Sequence, residues 1–566
     1  MYFLNKFLFL TTSLIIVFCF NNFLSHNSFA QISSETNTVI KTKNFSKTYG
    51  NYLSSLSAES EYDFVSAAHY SIESLREDKN NVFLLKHSFK MLLKAGQFKR
   101  AAEISSKLEF YNDNNEFLNL WPAILLELKQ NDFSTANELI EELNLEEYEQ
   151  FFSIILRSWH FAIQDQKAKS ISQIDYLINN IGAYENISLI QVEIQKLYIL
   201  YFLKKFEELE VLINKILLDE SKINPKYVVT FAQILFYLDK KDIAIQTLRK
   251  FLPRNYDLDL AVLYIKNNKT ISPIQALSIA LEDTSLIIAN KRGWLQAFPV
   301  LRMASYLYDF NINSRLQITS ILQSMKRYQE ALNELNEIDD YYFYFPFILL
   351  EKSYLYEDLG KNEEAINILN ELKSDHNYRR LAMIKLSNFY IRNKLYKEAL
   401  MICDELLLDK KPDSEVFYYR ALALVSLEKW DVAIDSLDIL IKKIPNNPTV
   451  MNFVGYTYVD QNINLPEGLG LIEKAIQMDP NNGFFIDSLG WAYYRMGEYK
   501  KSVTFLEKSV ELEPLEAEIT DHLGDVYFKL NRVKEAILQW KKAISLTSSK
   551  EYETRINKKI LENEIK

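Results

Sequence analysis

One period governs this chain. Ala331 in KRYQEALNEL, Ala365 in KNEEAINIL, Ala399 in LYKEALMIC and Ala433 in KWDVAIDSL stand 34 residues apart. The register continues through Gly468, Ser502 and Ala536 at intervals of 35, 34 and 34. A second set, Gly455, Gly490 and Gly524, keeps step at 35 and 34. Glycine inside a helix costs about 1 kcal/mol relative to alanine, so its recurrence marks a place where two backbones approach closely. A period of this length means one supersecondary module per unit. Such a module cannot bury its apolar face alone, so modules must stack along one dimension. Upstream the marks are Ala67, Ala101, Ala136, Leu209 and Ala244, at 34, 35, 73 and 35, where the 73 holds two units and a few extra residues. From Ala244 to Ala331 the interval is 87, which is no multiple of the period, and the segment 253–311 is expected to be irregular.

Within the 483–516 unit, Leu489, Gly490 and Tyr493 fall on a first helix, Ser502, Leu506 and Ser509 on a second, and Pro514 closes the unit. The next unit repeats the outline with Leu523, Gly524, Tyr527, Ala536, Trp540 and Ala543. These residues resemble the tetratricopeptide repeat. The pattern is dense over 312–550 and thinner over 46–252, where Phe89 and Ala232 replace the glycine. The resemblance implies an all-α fold, a right-handed superhelical solenoid of antiparallel helix pairs, with the first helices lining a concave groove. The units NFVGYTYVDQNINLPEGLGLIEKAIQMDPNNGFFIDSLGWAYYRMGEY look like the C-terminal part of long tetratricopeptide repeat proteins of the Gram-negative envelope. Some of those are adaptors that bring a C-terminal-processing serine protease to cell-wall hydrolase substrates. Many are lipoproteins, and here the chain departs, because lipid attachment wants a small residue where Phe18 precedes Cys19.

The N-terminus combines Lys6, an apolar run from Phe7 to Phe20 and the ending Ser28-Phe29-Ala30. Small residues at 28 and 30 fit signal-peptidase cleavage between Ala30 and Gln31. The run is shorter than the roughly 20 residues that span a bilayer. The reading is a signal peptide over 1–30, export to the periplasm, and a polar flexible leader over 31–45. The alternative is that residues 7–20 stay as an inner-membrane anchor on an envelope assembly factor, with the body on the periplasmic side. The segment 46–252 holds divergent repeats, 312–550 regular ones, and 551–566, EYETRINKKILENEIK, a charged capping helix.

The net charge of −10, made one unit more negative by removing Lys6, argues against nucleic acid as partner. With Cys19 in the signal segment, Cys403 remains alone, so no internal disulfide is possible and it reads as a small core residue. The six histidines are scattered, and there is no HExxH, CxxC, phosphate-cradling glycine loop or GxSxG elbow. A metal site at Asp521, His522 and Asp525 is disfavoured, because on a helix the two aspartates share a face that His522 does not. No catalytic residue, metal or cofactor is expected, and the chain reads as a non-catalytic binding scaffold.

What remains is the groove. Projecting the first helices of the last four units puts Tyr418, Leu422, Asn452, Tyr456, Asp487, Trp491, Tyr494, Asp521, Asp525 and Phe528 on its concave side. Aromatic anchors beside carboxylates fit a protein or peptide partner bearing basic side chains; the bland account is that some aromatics merely pack between neighbouring units. That partner would be an envelope protease or cell-wall enzyme if the adaptor resemblance holds. The aromatic run DDYYFYFPF (339–347) is a second candidate surface.

Overall fold

The computed structural model describes residues 38–110, 120–141, 147–184, 187–219, 223–252, 258–267, 270–338, 345–375, 378–408, 414–547 and 549–564. Residues 1–37, and with them the signal segment and its Ala30/Gln31 junction, lie outside these. So does most of the DDYYFYFPF run. Among the described residues every regular element is helical, and none of the helices is long and apolar enough to cross a membrane. Helix Thr38–Ser60 begins inside the stretch read as a flexible leader.

The helices come as antiparallel pairs. Every register mark from Ala67 to Ala536 is buried, the alanines completely. The pair Gly483–Arg495 and Tyr499–Leu512 shows why the period demands small residues. A Cβ on Gly490 would lie 2.7 Å from Leu506 Cγ. In place of bulk, the Ser502 hydroxyl donates to the Gly490 carbonyl at 2.7 Å and Ser509 to that of Gly483 at 2.8 Å. Between the two helices the chain turns through one left-handed residue. Gly497 (φ +80°) takes that place here, while Lys394 (φ +59°) and Glu428 (φ +55°) take it elsewhere despite their side chains. The following amide closes each turn, as Glu498 N–H does on the Tyr493 carbonyl at 2.9 Å.

The described chain divides into two compact units. One comprises the helices up to Tyr227 together with 237–239 and 269–327, and the other 228–236, 240–268 and 328–566.

In the first unit the segment that broke the period is a long hairpin, Pro273–Arg292 and Trp294–Leu307, hinged at Gly293 (φ +85°). Its first helix is capped by Ser272 and started by Pro273, and it is buried on nearly every side. It packs on helices Glu147–Ile163 and Leu189–Phe202, and its partner packs on Val82–Lys94 and Trp121–Lys129. These are first helices of successive pairs, so the hairpin fills the side on which a groove was expected. Phe298 meets Phe64 at 5.8 Å, Tyr306 meets Phe98 at 5.0 Å, and Gln195 donates to the Ala276 carbonyl at 3.1 Å. At its centre lie Glu282 and Asp283, 1% and 0% exposed. Lys226 reaches both carboxylates, the Tyr227 hydroxyl donates to Asp283 at 2.8 Å, and Gln317 donates to Glu282 at 3.0 Å. Burial pushes the Glu282 carboxyl above its ordinary range, against the pull of Lys226. One cation thus serves two buried acids.

Candidate partner-binding face

In the second unit the first helices Ser414–Ser426, Pro448–Asp460, Gly483–Arg495 and Ala517–Lys529 follow one another at the repeat period. Asparagine caps start two of them: Asn447 accepts from Val450 N–H and Asn482 from Phe485 N–H. The close crossings at Gly455, Gly490 and Gly524 then fix the rotation of each helix and so decide which side chains share a face. Tyr418, Leu422, Asn452, Tyr456, Trp491, Tyr494 and Phe528 are all partly exposed. Tyr418 sits edge-on to Phe453 at 5.6 Å, and Phe528 leans on Trp540 at 5.8 Å. Asn452 Oδ1 has no hydrogen-bond partner. Burial, then the carboxylates of Glu518, Asp460 and Asp487, hold the Tyr456 hydroxyl well above its ordinary pKa, so it stays a donor at any physiological pH.

The carboxylates are not the open acidic face that the sequence projection expects. Asp487 is 7% exposed and accepts from His522 Nδ1 at 3.0 Å. Asp521, 1% exposed, accepts from Arg555 at 3.0 Å and from Lys559 at 2.8 Å. Asp525 takes Lys559 at 2.7 Å and the Trp540 indole N–H at 3.0 Å. His522, which the projection put off the face, is buried against it and stacks on Trp491 at 4.1 Å, while Tyr494 stacks on the same indole at 4.6 Å. The Trp491 N–H donates to Asp460 at 3.0 Å. Burial opposes a charge on His522, but the Asp487 carboxylate outweighs it and lifts the imidazole to about 9. Each member of the Asp521, His522 and Asp525 trio faces a protein partner. Among the described residues no cluster of three or more metal-ligating side chains occurs.

Asp460, Arg495, His522, Arg555 and Lys559 were not found by projection, yet a signal for them exists. Residues one period apart on consecutive first helices stand side by side. Glu357–Arg392, Asp460–Arg495, Asp487–His522 and Asp521–Arg555 are such pairs, with the acid always on the earlier helix. Glu59–Lys94 repeats the arrangement in the first unit.

Comparison with known proteins finds the same repeat in part of the chain. A profile described as tetratricopeptide repeat matches residues 487–514. A TPR repeat-containing protein of Pseudomonas aeruginosa is 33% identical over 70 residues, 12% of this chain and 12% of its own length. Among solved structures, a thermophilic TPR protein of Thermus thermophilus matches at 21% identity over 32% of this chain and 99% of its own, with a TM-score of 0.30. MamA from Desulfovibrio magneticus RS-1 matches at 23% identity over 30% and 94%, with a TM-score of 0.26.

Proposed function

We propose, from the premise that the chain is a tetratricopeptide repeat protein, that it is a non-catalytic scaffold of the bacterial envelope whose second unit holds a protein partner. The observation that carries this reading is the run of partly exposed aromatics, Tyr418, Tyr456, Trp491 and Tyr494, on consecutive first helices. Large side chains with one apolar and one polar edge dominate binding hot spots. The corresponding side of the first unit is taken up by the 273–307 hairpin, so the second unit is the one available. Envelope location rests on the sequence of residues 1–31 alone, and the protease or cell-wall adaptor role is the finer form of the same proposal.

The test is a photo-crosslinking residue placed in the full chain at Tyr418, at Tyr456 or at the exposed Met401, followed by mass spectrometry of native envelopes. One adduct shared by positions 418 and 456 and missing at 401 is expected, and its sequence names the partner. Equal adducts at all three positions would remove the groove from consideration. Edman sequencing of the mature chain should start at Gln31, whereas an intact Met1 in a membrane fraction favours the anchored assembly factor.

A further inference from the structure

The acids of the last first helix are occupied by the chain itself. Helix Lys550–Glu564 lays a narrow stripe over them. Ile556 and Ile560 are buried, 0% and 5% exposed, in the cluster of Leu523, Tyr527 and Trp540. Beside them Lys559 bridges Asp521 and Asp525 while Arg555 reaches Asp521. The outer side, including Lys558 and Leu561, is exposed. The tether is short, because the preceding helix ends at Leu546. An isolated helix of this length is marginal in water, so its order depends on this one stripe, and small docking areas open first. Asp521 and Asp525 stand where the groove projection expects a ligand, and what meets them is a lysine-bearing amphipathic helix.

We propose that this end of the groove is a recognition site for an amphipathic helix whose docked stripe has apolar residues four apart with lysine or arginine beside them, and that helix 550–564, net cationic on that stripe alone, is its tethered, exchangeable occupant. A partner helix of the same pattern binds by displacing it. The proposal deepens the scaffold reading and rests on it, naming the partner's chemistry at one end of the face.

The probe is a fluorescent peptide of residues 549–564, titrated into the full chain and into the full chain carrying Ile556→Asp with Lys559→Glu. A competing tether lowers apparent affinity by the fraction of sites left open, so the variant should take the peptide about tenfold tighter or better than the unaltered chain. Lys559→Glu in the peptide should remove most of that binding. In the unaltered chain, amides of 550–564 should exchange with solvent at least about tenfold faster than those of 533–546. Equal affinity for both chains, or exchange of the two helices at one rate, makes the helix a permanent cap and overturns the proposal. Exchange of tails between two copies, seen as a dimer by light scattering, overturns it as well. Tyr418 and Tyr456 play no part in this assay, so its failure leaves the scaffold reading standing. Conversely, peptide binding survives even if crosslinking at 418 and 456 fails.

Discussion

Two glycines in one helix pair give opposite answers to the same substitution. Gly455 sits in Pro448–Asp460, and a Cβ there would lie 2.6 Å from the Gly468 carbonyl oxygen and 2.9 Å from Ile472 Cγ1. Gly470 sits in the facing helix, Leu465–Met478, with nothing within 4 Å of its Cβ position. Ordinary contact is about 3.5 Å, so Gly455→Ala drives a methyl roughly 1 Å too close to a backbone atom that no rotamer change can move. Overpacking of this kind costs about 1–3 kcal/mol, against a gain of about 1 kcal/mol in helix propensity. A net loss of up to about 2 kcal/mol is expected. Gly470→Ala keeps the gain and meets no obstacle, so it should stabilise by about 0.5–1 kcal/mol. The two variants then differ by roughly 0.5–3 kcal/mol, at the upper end on the order of a hundredfold in the local opening constant. Because solenoids open locally, the assay is hydrogen exchange over 448–478 and not a global melting temperature. If Gly455→Ala slows exchange there as much as Gly470→Ala does, the close crossing that sets the repeat register is refuted.

The buried His522–Asp487 pair should make the C-terminal repeats pH-dependent. Its folded pKa of about 9 lies above the unfolded 6.5, so its contribution is complete below pH 6.5 and disappears as pH rises through 9. A shift of this size corresponds to about 3 kcal/mol. Urea titrations followed through tryptophan fluorescence, in a chain keeping Trp491 and carrying phenylalanine at the other tryptophans, should show that loss, and His522→Gln should flatten it. Lys226→Met leaves Glu282 and Asp283 buried without a cation and should cost about 3–5 kcal/mol. Limited proteolysis within 273–307 would report it, and adding Glu282→Gln should recover part of the loss. Lys394→Gly relieves a left-handed side chain and should stabilise by about 0.5–1 kcal/mol; faster exchange over 379–406 in this variant would contradict the turn geometry.

The repeat and its crossings were legible because they depend on residue size at a fixed spacing, which a sequence displays directly. Gly490 opposite Leu506, and Ser502 beneath the Gly490 carbonyl, follow from the register alone. The hairpin was not legible as a groove filler. Helix 273–292 is buried on most sides and mixes Ser278, Glu282, Asp283, Thr284 and Ser285 with its apolar residues, so its pattern has no apolar stripe pointing to a neighbour, and its contacts with Gln195 and Lys226 are too distant in sequence for any local rule. The acidic face failed for a different reason. Projection put Asp487, Asp521 and Asp525 on an open face because it treated each helix alone, whereas their cations arrive one period later, on His522, Arg555 and Lys559. Reading charges at the period, as the register marks had been read, would have found them.

The hairpin also sets a clock on the making of the first unit. Arg302 and Tyr306 follow the residues they cover, Gly96 and Phe98, by about 200 residues. A ribosome adding roughly 5–20 residues per second needs about 10–40 s to bridge that distance. Until residue 307 is available the hairpin cannot cover the inner faces of the early pairs, and that interval is far longer than a helix or even a helix pair takes to form. Such a chain depends on something else to shield those faces until residue 307 has been made. A product cut short before Pro273 carries the exposed surface permanently, and it should be found in aggregates or with a holding chaperone.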